Sequence, residues 1–226
     1  NMRNGFKGIL LQEYDYERRR LVGQVHEIFK GMKLGFTEGP HIFRRGEYYY
    51  LVVAEGGTGY GHAVTVARSK GLLGPYEVDP RNPMLTSRDN ASLRLQKAGH
   101  ASFVETQGGE WIMAHLCARP VLGKSLTGRE TALQPIEWVE DWPRIKGGGH
   151  APLDAFSMPG SIPANVAAGF APVAEPERDD FSRGLGRLYS TMRVPLGDDV
   201  MVVNGALTLA GRESMFSCYR VTLLAR

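Results

Sequence analysis

The chain has 226 residues, enough for one large β domain or two smaller ones. Its composition is 42% hydrophobic and 23% charged, and a net charge of +3 without a long basic block gives no footprint for nucleic acid, which needs basic residues gathered on one face. No apolar run approaches the roughly 20 residues that span a bilayer, so the sequence carries no helical membrane span.

Strand patterns dominate from the start of the chain to about Ile145. The segments Gly8–Tyr14 and Leu21–Val25 flank a charged turn and predict a hairpin, with the Arg18-Arg19-Arg20 run on its solvated tip rather than in a polyanion site. A second hairpin is predicted from His41–Phe43 and Tyr48–Val53 around Arg44-Arg45-Gly46-Glu47. Alternation along its second strand puts Tyr48 and Tyr50 on one face and Tyr49 on the other, which suits core filling better than a sugar-stacking platform. Ala63–Ala67 is a further short strand, followed by the turn-rich Gly71–Tyr76. A third hairpin is predicted from Ala101–Glu105 and Glu110–Ala114 around Thr106-Gln107-Gly108-Gly109. No helical period competes with these strands.

The second and third hairpins resemble one another. Each has a glycine just before its first strand (Gly39, Gly99), and an aromatic residue leads its second (Tyr48, Trp111). A separation of about 60 residues suits a repeated sheet unit such as a propeller blade. After Ile145 the Gly147-Gly148-Gly149 run and the Ala/Pro/Gly-rich residues to Pro176 predict a linker. The triple glycine lacks the Lys-Ser/Thr that would make it a phosphate loop. Strand patterns return in Leu188–Met192, Val200–Val203 and Phe216–Leu224, as in the opening of a second β domain. About fifty residues are too few to close a sandwich core, so the pattern reads as a domain cut short at Arg226. Cys117 and Cys218 lie far apart in strand-like segments and form neither a disulfide framework nor a zinc motif, which fits a reducing, cytoplasmic setting.

The chemistry centres on one carboxylate. A carboxyl pressed against apolar surface favours its neutral form and can donate a proton near pH 7. Glu38 has such a setting in the sequence, with Phe36 before it and the Gly39-Pro40 turn after it. By itself, a surface-turn glutamate is the plainer reading.

The surrounding residues change that. Thr37-Glu38-Gly39-Pro40-His41-Ile42, Tyr48-Tyr49-Tyr50-Leu51 and Ala54-Glu55-Gly56-Gly57-Thr58 resemble the general-acid segment of glycoside hydrolase family 43, in its β-xylosidase branch. Further likenesses follow in order: Ala67-Arg68-Ser69 through Gly74-Pro75-Tyr76, Gln96–Ala101, Trp111–Arg119, Gly128–Ala132, and Glu137-Trp138-Val139 with Asp141-Trp142-Pro143. Asp179-Asp180-Phe181 and Gly211–Ser217 resemble the β-sandwich that follows in the xylosidase branch.

The resemblance implies an all-β chain: residues 1–145 as the C-terminal part of a five-bladed propeller, 146–176 as linker, and 177–226 as the truncated start of a β-sandwich. It implies an inverting hydrolase of xylan-derived oligosaccharides that releases terminal β-D-xylose, with Glu38 as general acid. A second carboxylate activates water roughly 6.5–9.5 Å away. His100 matches a histidine lining the subsite for the non-reducing sugar, and Arg129 matches an arginine that touches substrate or the central carboxylates. The plainer alternative for Arg129 is a salt bridge to the adjacent Glu130 or to another acid. His115 is expected to be core packing. The stretch between Arg119 and Gly128 is shorter than in the family, which suggests a trimmed loop near the pocket.

The implied partner is a xylo-oligosaccharide or an arabinose-substituted substrate, with no nucleic acid and no membrane, and with a homo-oligomer of the full-length enzyme left open. No cofactor is implied for the chemistry, although a structural calcium ion in the propeller is allowed. The family's base Asp and its pKa-tuning Asp have no counterpart here: Asp15 is the only Asp before Glu38, and its place in a hairpin turn resembles neither motif. The 226 residues alone are therefore expected to be inactive and, with unpaired strand edges, prone to aggregate. The alternatives are an α-L-arabinofuranosidase and a noncatalytic carbohydrate-binding propeller fragment.

Overall fold

A computed structural model describes residues 7–157, 160, 178–186, 189–191, 199–210 and 223–225. Among these the chain is all β, without a helix, and it divides into two compact units, 1–168 and 169–226.

The first unit opens with the expected hairpin, β1 (Ile9–Asp15) against β2 (Arg20–Phe29). Its basic tip is solvent-exposed, and Asp15 accepts the Arg18 backbone N–H at 2.8 Å and pairs with the Arg18 guanidinium at 3.4 Å. Two antiparallel meanders follow. One runs through β3 (Glu38–Arg45), β4 (Tyr48–Glu55), β5 (Ala63–Ser69) and β6 (Glu77–Val78), with β7 (Leu85–Thr86) also paired to β5. The other runs through β8 (Gln96–Glu105), β9 (Trp111–Ala118), β10 (Glu130–Val139) and β11 (Trp142–Ile145).

Strand β4 is apolar at nearly every position because it is covered on both faces, so it lacks the alternation of a half-exposed strand. Tyr50 and Val52 point into the larger core, where Val64, Val66 and Leu85 of the first meander meet Ala98, Ala101, Met113, Ile136, Trp142 and Ile145 of the second. Leu51 and Val53 point the other way, against Ile9, Ile28 and Phe29 of the β1–β2 hairpin and Ala67 of β5. The expected core role of Tyr48 and Tyr50 is met, since both join the cluster between the meanders. Phe43, Tyr50, Trp111 and Trp138 fill its outer end in offset and edge-on contacts with centroids 4.9–6.4 Å apart.

The residues after Ile145 do not simply leave the sheet. The His150 carbonyl accepts the Thr86 N–H at 2.8 Å, and Leu153 exchanges hydrogen bonds with the Gln134 amide at 2.9 and 3.2 Å. The opening of the stretch expected as linker is thus tied to both meanders.

In the second unit, β12 (Tyr189–Thr191) pairs with β15 (Leu223–Ala225), and β13 (Val200–Val203) pairs with β14 (Ala206–Leu209). Phe181 packs on Tyr189 at 5.7 Å between ring centroids. The likeness noted over Gly211–Ser217 lies outside the described residues, as does Cys218.

Candidate active site

Two strand beginnings build the site, and both carry a bulge. In β3 the pairing register slips between Glu38 and His41, where Gly39 takes a left-handed φ of +57°. In β8 it slips on both sides of Gly99, and Lys97 and His100 take φ of +56° and +52°. A bulge at a strand end re-aims side chains, and a non-glycine residue in this region persists only where its surroundings hold it. The imidazole of His100 is laid directly over Gly39: a Cβ there would stand 2.6 Å from its Nε2 and 2.7 Å from its Cε1. Glycine at position 39 is what allows the ring to reach the backbone beside Glu38.

The same device repeats one strand deeper. His62, 1% exposed just ahead of β5, lies over Gly99, where a Cβ would stand 2.5 Å from its Cγ and Cδ2. Its Nδ1 lies 3.1 Å from the Lys97 carbonyl, so Nδ1–H donates and Nε2 keeps the lone pair; Nε2 is buried with no hydrogen-bond partner among the described residues. Burial pushes the His62 pKa down, opposed by the Lys97 carbonyl. The charges of His100, Glu38 and Arg129 reach the same ring, the first and last lowering its pKa further and Glu38 raising it. Of the residues singled out in the sequence, His100 is brought beside Glu38 by its seat on Gly39, and His62, which sequence reading missed, sits over Gly99 next to His100. A signal was present: Gly61-His62-Ala63 repeats Gly99-His100-Ala101.

Arg129 is exposed immediately before β10. The alternative pairing with Glu130 does not occur, because Arg119 grips that carboxylate through Nε at 2.9 and 3.2 Å and Nη2 at 2.5 Å. Arg129 forms no ion pair among the described residues, so its guanidinium fork is open to a ligand. His115 is core packing, as expected: it is buried, with Nδ1 donating to the Leu116 carbonyl at 3.0 Å and Nε2 3.2 Å from the Gln134 amide nitrogen.

One expectation fails. Glu38 is exposed at the head of β3, not pressed against apolar surface, and Phe36 is 79% exposed with its ring directed towards Gly57. Phe36 takes a left-handed φ of +54°. The resemblance also allows a structural calcium ion in the propeller. It takes six to eight oxygen ligands, whereas the groups around His62 are imidazoles, one guanidinium and one carboxylate. Among the described residues no group of three or more His, Cys, Asp or Glu is placed to hold a metal. These residues do not fit a calcium site.

The profile of Glycosyl hydrolases family 43 matches residues 1–143. The chain belongs to glycosyl hydrolase family 43. It is 42% identical to a xylan 1,3-beta-xylosidase of Vibrio sp over 99% of this chain and 43% of that protein. It is 41% identical to Xylosidase/arabinosidase 43B of Humicola insolens over 98% of this chain and 41% of that protein. Among solved structures, the xylan beta-1,4-xylosidase of Bacillus halodurans C-125 superposes with a TM-score of 0.79 at 45% identity, covering 95% of this chain and 41% of that one. The chain spans less than half the length of these family 43 relatives. Its antiparallel meanders are those of an all-β family.

Proposed function

We propose that this chain supplies the acid side of an inverting family 43 active site that releases terminal β-D-xylose from xylan-derived oligosaccharides. In this reading the two meanders are blades of a five-bladed propeller, and the second unit opens a β-sandwich. The observation that supports it is the seat of the His100 ring over Gly39, which sets an imidazole beside Glu38.

Glu38 delivers its proton to the glycosidic oxygen as the bond to the anomeric carbon breaks. A second carboxylate takes a proton from the water that attacks the opposite face of the sugar. Glu38 is open to solvent in the free chain, and a bound sugar would cover it. His100, fixed on Gly39, lines the subsite for the terminal sugar. Arg129 offers paired N–H donors to sugar hydroxyls or to a central carboxylate.

The one Asp before Glu38 is not placed as the base. Asp15 is committed to Arg18 in the β1–β2 turn. The 226-residue chain by itself is therefore expected to turn over an aryl β-D-xyloside little or not at all, whereas a polypeptide that also carries the base is expected to be active. In that polypeptide Glu38→Gln should lower activity on xylo-oligosaccharides by a hundredfold or more, since acid catalysis contributes about 10²–10⁴-fold. Full activity of Glu38→Gln overturns the reading, as does strong activity of the 226 residues alone. Binding of xylo-oligosaccharide without hydrolysis would favour a carbohydrate-binding propeller. The Humicola insolens relative is named for xylosidase and arabinosidase alike, which supports α-L-arabinofuranosides as the second substrate to assay.

A further inference from the structure

Glu55, the last residue of β4, is fully buried and forms no ion pair among the described residues. An unpaired carboxylate in the interior is costly unless donors surround it. Three do. Its Oε1 accepts from the Met32 backbone N–H and from the Thr37 hydroxyl, each at 2.7 Å, and its Oε2 accepts from the Thr65 hydroxyl at 2.6 Å. Short hydrogen bonds to a charged acceptor are the strong ones.

Met32 and Thr37 lie near the two ends of the segment that carries the chain from β2 into β3. One carboxylate oxygen therefore closes this segment on itself and ties it to the sheet. The segment cannot hold its own shape by regular pairing: Gly31, Gly35 and Phe36 all have left-handed φ, of +82°, +71° and +54°. The closure is tight, since a Cβ on Gly31 would stand 1.8 Å from the Thr37 hydroxyl and 2.7 Å from Glu55 Oε1. The Gly56 N–H adds a bond to the Gly35 carbonyl at 2.8 Å.

Thr37 is covalently next to Glu38, and the β3 ladder slips directly after Glu38. Glu38 itself pairs with Ala54, but the ladder breaks directly after it, so the clamp on Thr37 fixes the backbone on its N-terminal side. We propose that Glu55 is a positioning residue which, through Thr37, aims the Glu38 carboxyl at the glycosidic oxygen. This rests on the reading of Glu38 as proton donor.

Leaving-group dependence separates positioning of an acid from general damage. A xylo-oligosaccharide leaves as a poor alkoxide and needs the proton, whereas a dinitrophenyl β-D-xyloside leaves without it. The test uses the polypeptide that carries this chain and hydrolyses xylosides, with Glu55→Gln, Thr37→Val and Glu38→Gln compared on both substrates. We expect Glu55→Gln and Thr37→Val to lower kcat/KM on xylotriose by about tenfold to a hundredfold, as sub-ångström to ångström misplacement does. On the dinitrophenyl xyloside they should stay within about twofold of the parent. Glu38→Gln should show the same split more strongly. Equal losses on both substrates for Glu55→Gln and Thr37→Val, beside a clear split for Glu38→Gln, overturn the positioning role and leave the acid reading intact. Absence of the split in Glu38→Gln itself overturns the acid reading and this inference with it. Should Glu55→Gln not fold, the isosteric Thr37→Val decides the matter alone.

Discussion

His62 and His115 are buried neutral, and their neutrality has a consequence for stability. Desolvation, the largest influence on each, lowers both pKa values. Protonating His115 would turn an N–H towards the Gln134 amide nitrogen, and protonating His62 would charge an Nε2 that has no acceptor. In the unfolded chain both take protons near pH 6.5. As pH falls below that value the unfolded state binds protons that the folded state refuses, so stability is lost on acidification by about 1.4 kcal/mol per pH unit for each ring until the folded pKa is reached. Urea midpoints of the first unit measured from pH 7.5 to 5.0 should fall steeply, and His115→Gln should flatten that slope. An unchanged slope in the variant would show that His115 is not held neutral. Gly39 is the second residue whose environment dictates its identity. Alanine there must displace the His100 ring and hold a left-handed φ, so Gly39→Ala should cost at least tenfold in kcat/KM on xylo-oligosaccharides and about 1 kcal/mol in stability. Retained activity would mean that the His100 ring is free to move aside.

The turn joining β10 to β11 shows how an element is fixed against its local sequence. Glu140 and Asp141 both adopt left-handed φ, +52° and +58°, in a two-residue connection that ordinarily calls for Asn-Gly. Tertiary donors hold it: the Tyr50 hydroxyl bonds the Asp141 carbonyl at 2.7 Å, and Arg68 Nη1 bonds the Glu140 and Asp141 carbonyls at 3.1 and 3.0 Å. Replacing both residues, Glu140→Asn with Asp141→Gly, keeps those carbonyls and relieves the backbone. Among the described residues the ion pair lost is that with Arg45, at 3.6 Å and exposed, which is worth little. The double variant should gain about 1 kcal/mol, read as a rise of roughly 2–4 °C in melting temperature; a fall would show that the native turn is not strained. This turn also marks the limit of what the sequence discloses. The hairpins around Gly46 and Gly109 were legible because glycine sits where a positive φ is needed, whereas β10–β11 has no such sign and depends on Tyr50 and Arg68, some seventy to ninety residues away in sequence. The site divides the same way. Glu38, His100 and Arg129 were legible through motif order. The seat of His62 on Gly99 and the clamp of Glu55 on Thr37 were not, because both depend on strands meeting across the sheet.

At the scale of the first unit, the two meanders are joined by more than apolar packing. Arg144 of β11 reaches Asp79, which follows β6: Nη2 donates to Oδ1 at 3.0 Å and Nη1 to Oδ2, while Oδ1 also accepts the Arg81 N–H at 2.9 Å. The Asp79 side chain is 0% exposed and that of Arg144 is 12%. Removing one partner strands a buried charge, which costs about 3–5 kcal/mol, whereas replacing both with apolar groups can be nearly neutral. The Arg119–Glu130 pair of the second meander offers the contrast, since its side chains are 47% and 24% exposed and water screens them. Arg144→Met should therefore destabilise the first unit by several kcal/mol, and Arg119→Met far less, in denaturant titrations followed by tryptophan fluorescence. Trp111, Trp138 and Trp142 all lie in or against the shared core, so the signal reports the junction itself. Adding Asp79→Leu to Arg144→Met should recover part of the loss, because the stranded carboxylate is gone. If the double variant is less stable than Arg144→Met alone, then Asp79 matters chiefly as the acceptor for the Arg81 N–H, and the two meanders are held together by their apolar core without help from the ion pair.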